Sequence, residues 1–160
     1  MNSRPPSTLL YQRSHFVTAL PMDCLYTPSH AWLAQVEADC WRVGLTKFAT
    51  WMLGETVDYD FELEPGAVVR LGDILGWVEG FKAISDLFCV VEGKFQGANP
   101  ALREKITLIT RDPYGAGWLY EVTGMPDSKC LDVHAYRAWL DKTIDRLLAR
   151  QKAGAARSGA

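Results

Sequence analysis

Between residues 31 and 122 the apolar segments are short, and turn signals punctuate the chain between most of them. Residues 31–36 (AWLAQV) and 40–45 (CWRVGL) flank Glu37-Ala38-Asp39, a polar connection of hairpin length. Residues 56–63 run into Pro65-Gly66, and residues 67–70 into Gly72-Asp73. Residues 74–79 form a mostly apolar run around Gly76. Residues 87–91 and 106–110 read as further strands, with Gly93 and Gly97 between them. The cluster Asp112-Pro113-Tyr114-Gly115-Ala116-Gly117 is a dense turn signal before a last strand at 118–122. Many short strands at close, even spacing predict a β-sandwich or a small barrel. Strand pattern alone does not choose between them.

Helical signals interrupt this pattern in three places. Thr46 is placed as an N-cap, with Phe48, Ala49, Met52 and Leu53 at helical spacing and Gly54 as a stop. Residues 100–105 suggest a single helical turn. After Gly124 and Pro126, Asp132 is a candidate N-cap. Val133, Tyr136, Leu140, Ile144 and Leu147 then recur at three and four residues, predicting an amphipathic helix of about 18 residues. Pro and Ser crowd the first seven residues, so residues 1–24 are expected to form a flexible tail. Residues 152–160, small and polar, are expected to be a disordered one.

Several functions are disfavoured. The formal net charge is -2, with no basic footprint for nucleic acid and no polybasic run for a membrane surface. No apolar stretch is long enough to span a bilayer, and the N-terminus lacks the apolar core of a secretory signal. A cytoplasmic protein is expected (mitochondrial in a eukaryote). Cys24, Cys40, Cys89 and Cys130 show no metal-ligand spacing and argue for neither disulfides nor zinc. No nucleophile–base pair or phosphate loop stands out, which disfavours a self-sufficient enzyme.

The chemically informative stretch is Glu79-Gly80-Phe81-Lys82-Ala83-Ile84-Ser85-Asp86-Leu87. One strand runs up to Glu79 and another leaves from Leu87, which places Lys82 at or near a hairpin tip. Gly66 lies 16 residues before Lys82, Glu79 three before, and Gly93 eleven after. Each glycine reads as a tight turn needing freedom in φ. This Gly…Glu-x-x-Lys…Gly arrangement resembles lipoyl domains.

Five ordered blocks make the resemblance more specific. Tyr26-Thr27-Pro28-Ser29-His30-Ala31-Trp32 resembles Y-T-x-x-H-x-W of the glycine cleavage H-protein family. Val43-Gly44-Leu45-Thr46 and Leu53-Gly54-Glu55 resemble its V-G-I-T…L-G-D segment. The stretch around Lys82 resembles E-S-V-K-A-x-S-D, and Asn99-Pro100-Ala101-Leu102 resembles N-x-x-L. Asp112 to Leu119 resembles D-P-Y-G-x-G-W-L almost letter for letter.

The resemblance implies a mainly β fold with short helices (α+β), a barrel-sandwich hybrid of the lipoyl/biotinyl-carrier type with a C-terminal amphipathic helix. Residues 25–124 would be the carrier domain and 125–151 a helical extension. Lipoate would be joined covalently to Lys82, with Glu79, Gly66 and Gly93 shaping the tip and its turns. The protein would be a carrier rather than an enzyme. It would shuttle an aminomethyl group between a pyridoxal-phosphate glycine decarboxylase and an aminomethyltransferase. A dihydrolipoyl dehydrogenase would reoxidise the arm, and a lipoyl ligase or transferase would install it.

The neighbouring residues carry modest readings. His30 is expected to be a hydrogen-bonded structural histidine rather than a ligand or base, Trp32 and Trp118 packing residues, and Ser85-Asp86 a turn capping the tip or a contact for the modifying ligase. Gly80-Phe81 departs from the family's Ser-Val. That departure and the cysteines leave open a lipoyl carrier in another pathway, such as sulfur oxidation or lipoyl relay, with a non-lipoylated interaction module as the third reading. Cys89, seven residues past Lys82, could be a buried thiol or could exchange with a dithiol.

Overall fold

A computed structural model describes residues 7–158. Among the described residues, eleven strands form three antiparallel sheets. A hairpin pairs β1 (Thr8–Arg13) with β2 (Phe16–Pro21). The six-stranded sheet has the order β3-β4-β5-β11-β10-β7. Its members are β3 (Leu25–Tyr26), β4 (Ala31–Glu37), β5 (Cys40–Leu45), β7 (Val68–Val69), β10 (Val91–Ala98) and β11 (Tyr120–Pro126). The third sheet has the order β6-β8-β9, from β6 (Thr56–Phe61), β8 (Ile74–Gly80) and β9 (Ile84–Phe88). Four helices connect or cover the sheets: α1 (Lys47–Leu53), α2 (Ala101–Glu104), α3 (Leu108–Arg111) and α4 (Val133–Ser158).

The two larger sheets enclose the first core. Leu33, Val43, Val69, Leu75, Val78, Leu87, Val91, Phe95 and Val122 bury their side chains in it. These are apolar positions of half-buried strands, the alternation that places one face of a sheet inside. Gly93 sits within β10, opposite Gly124 of β11. A Cβ there would lie 2.0 Å from the Thr123 carbonyl oxygen, so the glycine permits a close backbone approach rather than the expected turn. Gly66 does sit in a turn, at φ 94°, and donates its N–H to the Phe95 carbonyl at 2.7 Å.

A second core lies on the other side of α1. Tyr11, Phe16 and Leu20 of the hairpin pack with Phe48 of α1, Tyr26, Trp32, and Tyr136, Leu140 and Ile144 of α4. The Tyr26 and Tyr136 rings stack at 4.6 Å between centroids. Polar contacts tie the hairpin to α4. The Tyr11 hydroxyl donates to Asp141 at 2.8 Å, and Arg13 donates two bonds of 2.9 Å to Asp145.

The expectation of a flexible tail is therefore corrected over residues 8–21. Tyr11, Phe16, Thr18 and Leu20 bury alternate positions against helices distant in sequence. The hairpin turns at Ser14, which takes φ 54° without the Gly or Asn that normally signals such a turn. Residues 1–6 lie outside the described residues. The expected tail from residue 152 is corrected as well, because α4 runs to Ser158 over 26 residues. From residue 148 to 157 it is exposed throughout, so helix-favouring Ala, Arg, Gln and Lys carry it.

Residues 106–110, expected as a strand, instead form a turn and the start of α3. Ile109 is fully buried, and the Thr110 hydroxyl accepts the Thr56 N–H at 3.1 Å, so packing overrides β propensity there. Thr46, Gly54 and Asp132 take the capping places expected of them. Thr46 Oγ1 accepts from the Ala49 N–H at 3.3 Å and Asp132 Oδ1 from the Ala135 N–H at 2.8 Å. Gly54 ends α1 at φ 76°.

Leu20→Ala is expected to cost about 2–5 kcal/mol of unfolding free energy, as for other buried leucines, in urea titrations of the full chain. An unchanged midpoint would mean that the hairpin does not belong to the cooperative core.

Candidate functional site

Lys82 stands between β8 and β9, exposed, at the tip of their hairpin. The side chain is exposed, yet the backbone beneath it is fastened. The Lys82 N–H donates to the Leu53 carbonyl at 2.8 Å, and the Phe81 N–H to the Glu55 carbonyl at 3.0 Å. Gly80 closes the tip, donating to the Ala83 carbonyl at 2.8 Å. A Cβ on Gly80 would stand 2.2 Å from the Leu53 carbonyl oxygen, so only glycine lets β8 meet the end of α1 this closely. The Lys82 ammonium lies 3.4 Å from the Trp51 carbonyl oxygen and 6.0 Å from the centre of the Trp51 ring.

A cleft of about 330 Å³ opens beside the tip, between α1 and β9. Its walls include Phe48, Met52 and Leu53 from α1 and Ala83, Ile84 and Phe88 from the tip and β9. Its size falls within the usual range for small-ligand sites. Ser85 and Asp86 also line it, but from within β9, where they face Val78 and Trp77 in register. They extend the outgoing strand rather than forming the expected turn. Glu79 is exposed at the end of β8, paired in register with Asp58 and Ile84. Gly66 and Gly93 serve the frame and do not line the cleft.

His30 also lines the cleft, next to Phe48 of α1. Its Nδ1 lies 2.8 Å from the Tyr136 hydroxyl, which donates to Thr46 Oγ1 at 3.0 Å. With the tyrosine proton committed to Thr46, His30 donates from Nδ1. Its ring also packs on Phe48 at 4.5 Å between centroids. Burial pulls the imidazole down to about 4, so it is neutral at physiological pH. The residue serves as a structural donor that joins α4 to the N-cap of α1.

The remaining sequence blocks hold the same frame. Trp32 is buried and donates from Nε1 to the Pro113 carbonyl at 2.8 Å. The Tyr114 hydroxyl accepts the Lys47 N–H at 3.1 Å, and Asp112 Oδ2 accepts the Ala116 N–H at 2.9 Å. Buried Asn99 donates to the Ala116 and Trp118 carbonyls at 2.8 and 2.9 Å. Trp118 lies under the Arg42 guanidinium at 4.3 Å.

None of the four cysteines is in a disulfide. Burial pushes the Cys24 thiol up to about 12 and those of Cys89 and Cys130 up to about 11. Cys40 is also raised, by burial and then by Glu121. Thiols held protonated are poor nucleophiles, which counts against exchange at Cys89. Cys89 instead donates to the Val91 carbonyl at 3.0 Å. Trp51 is the site residue that sequence reading misses. It lies off the apolar stripe of α1, and a tryptophan on the polar side of a short helix is the signal that could have found it.

Antiparallel sheets stacked around one core, with a lysine projected from a hairpin tip, define the lipoyl/biotinyl-carrier class of barrel-sandwich proteins. The family model described as glycine cleavage H-protein matches residues 24–139. The glycine cleavage system H protein of Corynebacterium jeikeium is 40% identical over 125 residues, covering 76% of this chain and 98% of that protein. Its counterpart from Bacteroides fragilis is 37% identical over 121 residues, covering 74% and 94%. The crystal structure of the glycine cleavage system H protein from Mycobacterium marinum superposes with a TM-score of 0.67 at 35% identity. It covers 74% of this chain and 97% of that one. The chain belongs to the glycine cleavage H-protein family.

His30 sets a pH dependence. The unfolded chain protonates this residue as pH falls through its ordinary value of 6.5, whereas the folded chain resists until about 4. Its contribution is therefore neutral above that window and destabilising as pH falls through it. Between pH 7 and 4.5 the loss is expected to reach about 2–3 kcal/mol, and His30→Gln should remove that part of the slope in urea titrations. An identical slope in the variant would place the titration elsewhere.

Proposed function

We propose that Lys82 carries lipoate in amide linkage and that this chain is the lipoyl carrier of a glycine cleavage system. Membership of the glycine cleavage H-protein family makes the chain a carrier component rather than a catalyst. The observation that carries the assignment to Lys82 is the contrast at the tip. The backbone is fastened to α1 while the amine is exposed beside an apolar cleft. A modifying enzyme needs that exposure, and an apolar arm needs that shelter.

Attachment is a condensation. The Lys82 ammonium loses a proton, the neutral amine attacks an activated lipoyl carbonyl, the activating group leaves, and a second proton is lost as the uncharged amide forms. The residues present fit the group, since the cleft begins at Ala83, immediately after the attachment point. When bound, lipoate supplies a dithiolane able to take up a one-carbon amine unit, and the protein supplies position and docking. The tether raises the local concentration of the arm at each partner.

The partners fitting this role are a pyridoxal-phosphate glycine decarboxylase, an aminomethyltransferase, a dihydrolipoyl dehydrogenase and a lipoyl ligase or transferase. The buried, protonated cysteines lend no support to a thiol-exchange pathway. No described helix is long and apolar enough to cross a membrane.

Intact mass and peptide mapping after incubation with a lipoyl ligase, lipoate and ATP should show one lipoyl addition, on the peptide containing Lys82. Lys82→Arg should melt as the wild type does and take up none. Addition to the Lys82→Arg protein would move the site to another lysine, and an unmodified wild type would leave an H-like scaffold without an arm.

A further inference from the structure

We propose that Trp51, seated by Phe16 of the N-terminal hairpin, is a positioning residue for the acylation of Lys82. The inference rests on the carrier reading of Lys82 and adds to it a part of the chain lying outside residues 24–139. A lysine side chain has four freely rotating bonds, and an acylating enzyme must receive its amine in a narrow range of positions. Trp51 supplies the restraint.

The cap of α1 is completed by Gly54 donating to Thr50, so the Trp51 carbonyl points onward to the tip. It lies 3.4 Å from the Lys82 ammonium, and the ring centre lies 6.0 Å from the same nitrogen, at the outer edge of a cation–π contact. Gly54 completes the seat. A Cβ there would crowd Lys82 Cγ at 3.0 Å and the Lys82 backbone nitrogen at 3.2 Å, so the stem lies flat along the end of the helix. Each contact is long by itself, and together they give the amine one direction.

The restraint works only if Trp51 is itself held, for it is 44% exposed. Phe16 holds it. The two rings lie 5.5 Å apart between centroids, and Phe48 touches both, at 5.6 Å from Phe16 and 6.0 Å from Trp51. Phe16 is buried because the hairpin is locked to α4 through Tyr11–Asp141 and Arg13–Asp145. The path from the hairpin to the amine is one continuous set of contacts. Trp51 does not line the cleft, whose α1 wall is Phe48, Ala49, Met52 and Leu53. The unmodified amine is therefore held against Trp51, beside the cleft and not within it.

The step concerned is acyl transfer from a lipoyl-adenylate. The Lys82 ammonium first gives up one proton to solvent, the lone pair so freed attacks the acyl carbon, the C–N bond forms, the bond to AMP breaks, and a second proton passes from nitrogen to solvent. Acylation abolishes the ammonium, weakens its attraction to the Trp51 carbonyl and ring, and leaves the arm able to move to the cleft.

Two measurements on the full chain test this. In the first, a lipoyl ligase with lipoate and ATP modifies wild type, Trp51→Ala, Trp51→Phe, Phe16→Ala and the Phe16→Ala/Trp51→Ala double variant. Trp51→Ala should lower kcat/KM for the acceptor about tenfold, and Trp51→Phe should restore most of it. Phe16→Ala should lower it too, and the double variant should be no worse than Trp51→Ala alone. Leu10→Ala, on the exposed face of the hairpin, should change nothing.

In the second, a small acetyl ester labels the lysines without any enzyme, and Lys82 is compared with exposed Lys94 and Lys129 in the same sample. The Lys82 ratio should rise about twofold or more in Trp51→Ala while enzymatic transfer falls, because a held amine is slow towards a wandering reagent and fast towards an enzyme shaped for it. General loosening of the fold would not produce that opposition. Unchanged transfer in Trp51→Ala, an unchanged labelling ratio, or losses that multiply in the double variant would each overturn the proposal. A wild type that accepts no lipoyl group would overturn the carrier reading and the acylation role with it, and the labelling ratio would still show whether Trp51 holds the amine.

Discussion

The junction between the β8–β9 tip and the end of α1 is the constraint on which the rest of the site depends. Two backbone bonds, Lys82 to Leu53 and Phe81 to Glu55, tie the tip of an exposed hairpin to the end of a helix and the residues just after it. Helix ends carry carbonyls without intrahelical donors, and a hairpin tip carries N–H groups without ladder partners. Each satisfies the other's unpaired backbone. The match is close enough to exclude a side chain at Gly80, where a Cβ would stand 2.2 Å from the Leu53 oxygen. The junction fixes the backbone under Lys82 and leaves the side chain uncovered, so the two properties part at Cα.

The junction holds only if α1 holds. A seven-residue helix has little stability of its own, and its place comes from tertiary contacts. Its N-terminus is capped by Thr46, whose hydroxyl is gripped through Tyr136 by His30, and the Lys47 N–H is taken by Tyr114. These groups come from the turn before β4, from α4 and from the turn before β11. The sequence blocks that identify the family thus converge on one short helix. The chemistry asked of them is structural: hydroxyls, an imidazole kept neutral by burial, and a buried asparagine that ties down the turn between residues 112 and 117.

Much of this was legible in the sequence where the signal is local. Thr46, Gly54 and Asp132 act as caps because capping needs only a side chain and its own next turn. Lys82 read as a tip because its flanking strands are short and continuous. The β1–β2 hairpin was not legible, because it turns at Ser14 with no glycine and packs Phe16 on Phe48 and Trp51, more than 30 positions away. Residues 106–110 read as a strand by β-branched content, yet Ile109 is buried in the first core and Thr110 is claimed by Thr56. Gly93 suggested a turn because spacing alone cannot distinguish a left-handed bend from two strands that pass too closely for a side chain. In each case the deciding partner lies far away in the chain.

The two cores divide the labour in a way that accounts for the extra length. The first, between the larger sheets, falls entirely within residues 24–139 and makes the carrier frame. The second reaches beyond that span on both sides, with Tyr11, Phe16 and Leu20 before it and Leu140 and Ile144 after it packed on Tyr26, Trp32, Phe48 and Tyr136 within it. Neither terminus could bury these side chains alone. A two-stranded hairpin is marginal in water, and an amphipathic helix needs a surface for its stripe. Packed together and joined by Arg13 and Tyr11 to Asp141 and Asp145, they cover the face of α1 that the carrier frame leaves open. What they cover includes Phe48 and Trp51, so the added core reaches the end of the same helix that holds the tip of the carrier hairpin.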